Sequence, residues 1–203
     1  MYEPRPLSLL RPDEPSKPIA DTFKLSSAFH LATRAQIEGL VNTYPMDPSA
    51  GSPFRTGSEN EVYPQYKRIA ALFGDLKFTL MRRFELASTR QIAPEVPWWS
   101  YLATYGYGTP TVGTQHGLDT LEIYLALPLP QPGETTMTYY ISFVNHLDPN
   151  TITTASPLIT WPPWTEGTPV LLNLSKDSNE LIPDTFRQRS YEYLRDHWSV
   201  LRL

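Results

Sequence analysis

At 203 residues the chain is long enough for one generous domain, able to bury roughly 70% of its unfolded surface. Lys and Arg number 17 against 21 Asp and Glu, a net charge of −4, so there is no basic footprint for phosphate backbones or anionic lipid, and nucleic-acid and membrane-surface roles are disfavoured. Cysteine is absent, which excludes disulfide frameworks, thiolate metal sites and cysteine nucleophiles and leaves the compartment open.

No apolar run approaches the roughly 20 residues that a spanning helix needs, and Met1-Tyr2-Glu3-Pro4-Arg5-Pro6 lacks the basic-then-apolar order of a signal peptide. The chain as written reads as soluble, with no membrane span and no address. Proline at positions 4, 6, 12, 15 and 18 fixes φ and removes backbone donors, so residues 1–20 read as a proline-rich irregular tail. Residues 21–203 form the body. A short helix is expected over Asp21 to Ala28, and Thr33-Arg34-Ala35-Gln36 opens a second whose apolar face is Ile37, Leu40 and Val41. Ile69, Leu72, Phe73, Leu76, Leu80 and Phe84 recur at steps of three and four. They predict a long helix from about Pro64 to Ser88, with Lys67, Asp75 and Arg82 off the stripe.

The chain is organised around Trp98 to Asp119. Trp99 to Thr104 reads as a buried strand, followed by a glycine-rich loop that delivers one histidine, His116; an α/β enzyme places catalytic groups in such a position. Leu121 to Leu127 fits strand or helix. A helix is expected over Thr135 to Leu147 with Met137, Tyr140, Ile141 and Val144 on one side, ending at Asp148-Pro149. Val170 to Leu174 and Glu180 to Ile182 suggest a hairpin, and Pro183 to about Leu201 a closing helix. His30, His146 and His197 are too scattered for a metal constellation, and no metal or cofactor is expected. Ser52 and Ser58 read as turn residues, and Ser26 and Ser27 as helix or cap positions. Asn173-Leu174-Ser175 has the pattern of a glycosylation sequon but sits on an expected strand.

Several blocks in order resemble the C-terminal part of the type B carboxylesterase and lipase family, an α/β-hydrolase branch common in fungi. They are Tyr44-Pro45, Gly51-Ser52-Pro53-Phe54-Arg55-Thr56-Gly57, Pro64 to Ala71 with Gly74-Asp75-Leu76, and Gly113-Thr114-Gln115-His116-Gly117-Leu118-Asp119. Ile141 to Asn150 and Trp161-Pro162-Pro163-Trp164-Thr165 follow. The resemblance implies an α/β class with a partial α/β-hydrolase fold, few strands and several helices. It also implies a serine esterase or lipase in which His116 is the general base that takes the serine proton. Asp119 would then be a buried neighbour holding the loop. An extracellular location is common in such a family.

The departures from the family pattern are equally informative. Gly-x-Ser-x-Gly, the strained turn that exposes a nucleophilic serine, occurs nowhere in the sequence, and neither does the family's glycine-rich oxyanion segment. The acidic triad member belongs to an acid-Glu-Gly setting after a strand. Glu14, in Asp13-Glu14-Pro15, and Glu3, also followed by proline, are the only candidates, and neither has that setting. The expected function is therefore the histidine-bearing segment of a carboxylic ester hydrolase, acting on an ester only within a complete enzyme and with a complementing N-terminal segment. A non-catalytic esterase-like interaction module, or a pseudogene product, is the competing expectation.

Overall fold

A computed structural model describes residues 19–20, 29–50, 56–104, 114, 116–117, 119–120, 132–152, 158–175 and 178–201. The helix expected over Asp21 to Ala28 and the ambiguous Leu121 to Leu127 lie outside them. So does the proline-rich stretch, apart from Ile19 and Ala20, which are both buried. The chain divides into two compact units, residues 1–83 with 187–203 and residues 84–186.

The first unit contains α1 (Arg34–Val41), α2 (Tyr66–Gly74), a π-helical turn (Asp75–Thr79) that runs into α3 (Leu80–Ile92), then α5 (Gln188–Asp196) and α6 (Trp198–Leu201). The cut between units falls within α3. Helix α1 starts as expected: the Gln36 amide donates to the Thr33 hydroxyl at 3.3 Å, and the Thr33 amide donates to Gln36 Oε1 at 2.8 Å. Each satisfies a donor that a helix N-terminus leaves unpaired. Ile37, Leu40 and Val41 are fully buried. Glu61 caps α2, accepting from the amides of Gln65 and Lys67 at 2.8 and 3.2 Å.

The long helix forms, from Tyr66 to Ile92, and its buried face keeps most of the expected stripe but adds charged residues. Leu72, Leu76 and Leu80 are buried, whereas Phe73 is half exposed and Lys67 and Asp75, placed off the stripe by periodicity, are interior. Polar pairing is the reason. Lys67 Nζ donates to the Pro48 and Gly57 carbonyls at 3.1 and 2.5 Å. Asp75 accepts from Arg187 Nε at 2.8 Å, and both side chains of that pair are about nine-tenths buried. Arg187 adopts φ +56°, unusual for a residue with a side chain, and its guanidinium also lies 4.9 Å over the Tyr44 ring. Burial raises the Asp75 carboxyl above the usual carboxylate range and outweighs the opposing pull of Arg187.

The closing helix also differs from expectation. Pro183 ends a strand, α5 begins only at Gln188, and His197 at φ −117° separates α5 from α6. His197 stacks on Tyr193 at 4.3 Å, with Nδ1 2.9 Å from the Tyr193 carbonyl. Helices α1 and α5 pack closely at Gly39, where a Cβ would lie 2.0 Å from the Tyr193 hydroxyl oxygen. That hydroxyl donates to the Gln36 carbonyl at 3.1 Å.

The second unit holds β1 (Tyr101–Ala103), α4 (Pro132–His146), β2 (Val170–Leu174) and β3 (Glu180–Pro183), in sheet order β1-β2-β3. β1 runs parallel to β2 with Tyr101 opposite Leu172, and β2 pairs antiparallel with β3 as the expected hairpin. A parallel pair needs a long connection, and α4 lies within it. Strand β1 is half-buried and shorter than expected, but Ser100 O and Thr104 N extend its pairing at 3.0 and 2.8 Å. Its core is aromatic: Trp161 meets Tyr139 and Tyr101 edge-on at 5.4 and 6.2 Å beside Leu172 and Leu174. Asn150 brackets Trp161 by accepting from its amide at 2.7 Å and donating to its carbonyl at 3.0 Å.

On α4 the buried face is Thr136, Tyr139 and Ser142, while Ile141 and Val144, expected inside, are 47% and 76% exposed. Hydrogen bonding explains the reversal, because the Tyr139 hydroxyl donates to the Ile159 carbonyl at 2.7 Å and the Ser142 hydroxyl to the Asp148 carbonyl at 2.6 Å. Across the sheet, Thr104 donates to Asn173 Oδ1 at 2.8 Å and Asn173 Nδ2 donates to Glu180 at 3.0 Å. The sequon asparagine is therefore interior and fully engaged.

Three outcomes test this packing. A carboxyl with a raised folded-state pKa supplies stability below its unfolded pKa and loses it as pH rises through the folded value. The melting temperature of wild type relative to that of Asp75→Asn should therefore fall as pH climbs from about 4. Arg187→Met, which strands the buried carboxylate, should lose about 3–5 kcal/mol at pH 7 and less at pH 4, by chemical denaturation. Gly39→Ala should lose about 1–3 kcal/mol through overpacking against Tyr193.

Candidate functional site

His116 lies exposed in a turn, followed by Gly117 at φ +85°, a conformation that glycine adopts without steric penalty. Three residues after His116, the Asp119 carboxylate accepts from the Tyr101 hydroxyl at 2.7 Å. The Tyr101 hydroxyl is in turn 2.8 Å from that of Tyr140 on α4. An ionised carboxylate only accepts, so the single Tyr101 proton goes to Asp119 and Tyr140 donates to the Tyr101 oxygen. Burial, and then the bond to Asp119, push the Tyr101 phenol well above its usual range, which keeps it neutral and able to donate.

Strand and helix together hold this group. Tyr101 is fixed in β1 by its register with Leu172, and its ring meets both Trp161 and Tyr140 edge-on, the latter at 6.4 Å. Asp119, expected to be buried, is half-buried and hydrogen-bonded to the strand. Tyr101 and Tyr140 carry no role in the sequence pattern alone. The available signal was a tyrosine on the strand ahead of the histidine, whose half-buried hydroxyl requires a partner.

Glu14 and Glu3, the candidates for a triad acid, lie outside the described residues, as do Ser26, Ser27 and Ser52. Ser58 is exposed in a turn, and His146 is the last residue of α4. Among the described residues no group of three or more His, Cys, Asp or Glu side chains is placed to hold a metal, and no helix is long and apolar enough to cross a membrane.

No family model matches the chain. Individual proteins do. It is 47% identical over 166 residues to secreted lipase 1 of Botryotinia fuckeliana, an alignment covering 82% of this chain and 29% of that protein. A secreted triacylglycerol lipase of Gibberella zeae is 45% identical over 166 residues, covering 82% and 28%. Lipase 2 of Geotrichum candidum is 35% identical over 164 residues, covering 80% and 28%. The chain thus spans under a third of the length of these relatives. In fold it matches the crystal structure of EstA from Aspergillus niger with a TM-score of 0.69 and 18% identity, over 93% of this chain and 37% of that one. Its helices and small mixed sheet are a partial α/β-hydrolase fold, and the chain belongs to the fungal carboxylesterase and lipase family.

Proposed function

We propose that this chain is the C-terminal, histidine-bearing segment of a carboxylic ester hydrolase, with His116 as the general base. The observation that carries the reading is an exposed histidine on a turn anchored to the sheet, in a chain that aligns with secreted lipases. In a complete enzyme His116 would take the proton from a serine hydroxyl as it attacks the ester carbonyl. The protonated imidazole would then protonate the leaving alcohol, and His116 would next activate water to hydrolyse the acyl-enzyme. The serine belongs to a complementing N-terminal segment, since Gly-x-Ser-x-Gly is absent from this sequence. Association with such a segment is supported by α4, where Ile141 and Val144, with Leu147 just beyond the helix end, are exposed apolar side chains. Substrates are carboxylic esters, the class to which the relatives' names as lipases point.

The test replaces the 166 aligned residues of the Botryotinia fuckeliana lipase with the matching residues of this chain. Hydrolysis of a p-nitrophenyl ester and fluorophosphonate labelling are then measured. The folded chimera should hydrolyse the ester, and His116→Gln should lower turnover by roughly 10⁴- to 10⁶-fold. A His116→Gln chimera within tenfold of its parent would refute the assignment. The 203-residue chain alone should show no burst of ester cleavage.

A further inference from the structure

Asp119 follows His116 by three residues, with Gly117 at φ +85° between them, so whatever fixes the carboxylate fixes the far end of the histidine's turn. The carboxylate accepts a hydrogen bond of 2.7 Å from Tyr101, and Tyr140 supports that donor at 2.8 Å. The two phenols come from different elements. Tyr101 is registered against β2 and packed on Trp161, and Tyr140 projects from α4. A carboxylate held through a strand and a helix together has little freedom to move.

We infer that the Tyr140–Tyr101–Asp119 hydrogen-bond chain is a positioning device for His116, with Tyr101 its central residue. The inference rests on the reading of His116 as the general base. Asp119 acts here as an acceptor for Tyr101, so its charge is dispensable and its geometry is not. An asparagine at 119 keeps an acceptor oxygen in place, while an alanine removes it. Phenylalanine at 101 keeps the ring contacts with Trp161 and Tyr140 and removes the hydroxyl, which takes away both the proton given to Asp119 and the oxygen that accepts from Tyr140.

The first measurement is ¹⁵N relaxation of the full 203-residue chain at residues 116, 117 and 119, with Leu172 in β2 as the internal reference. Wild type and Asp119→Asn should give order parameters near 0.85 across the turn. Tyr101→Phe and Asp119→Ala should fall toward about 0.6 there and leave Leu172 unchanged. A turn already below about 0.6 in wild type, or a Tyr101→Phe turn as rigid as wild type, overturns the inference. So does an equal loss at Leu172, which marks general destabilisation. In the lipase chimera, Tyr101→Phe should lower kcat roughly 10- to 100-fold with KM nearly unchanged, and Asp119→Asn should restore most of what Asp119→Ala loses. Full activity of His116→Gln refutes the general-base reading and leaves the relaxation result standing. An inactive His116→Gln beside a fully active Tyr101→Phe refutes the positioning role alone.

Discussion

The second unit depends on the parallel pairing of β1 with β2. Three residues of strand are a slight hold by themselves, and the pairing persists because its flanks are secured: Ser100 and Thr104 extend the ladder, and Trp99 Nε1 donates to the Trp161 carbonyl at 3.0 Å. The Trp164 amide reaches the Trp98 carbonyl at 2.6 Å, so the approach to β1 is fastened on both sides of the aromatic core. With β1 fixed, Tyr101 can present its hydroxyl at a defined point, and Asp119 and the turn carrying His116 follow. A slip of one residue would send Tyr101 to the opposite face of the sheet and leave Asp119 without its donor.

Local rules were legible in the sequence, and tertiary compensation was not. The Thr33–Gln36 capping box, the β2–β3 hairpin and the existence of the long helix all follow from short-range patterns and appear in the structure. Periodicity failed where burial was decided by polar partners. Lys67 and Asp75 are interior because distant carbonyls and Arg187 receive them, and no window of sequence around either residue announces those partners. On α4 the same logic reversed the face, since Tyr139 and Ser142 found acceptors inside and the aliphatic side was left outward. Pro183 is compatible with a helix start or a strand end, and pairing with Val170 settled it as the latter. For the candidate site, His116 stood out by its glycine-rich surroundings, but the tyrosines that hold its turn lie 15 residues before it on a strand and 24 after it on a helix.

The sheet has three strands among the described residues, and the chain covers under a third of its relatives' length. On the proposed reading, this portion holds a base, His116, and the packing that orients it. General-base chemistry needs only an imidazole at the right place, while the nucleophile needs its own strained turn, so the two halves of the reaction can reside in different stretches of a protein.

Asn173 gives the sheet a relation to time as well as to shape. Its amide spans from Thr104 to Glu180 across all three strands, so the same nitrogen that an oligosaccharide would occupy is a structural crosspiece. In a glycosylating compartment the two fates exclude one another, and a hairpin that closes in about 1–10 μs settles the contest in favour of the sheet as soon as the segment is free to fold. A sugar attached earlier would break the Asn173–Glu180 bond and could not fit at this buried position. Occupancy at this position would thus record the order of events during synthesis, marking chains that were modified before β2 found its neighbours.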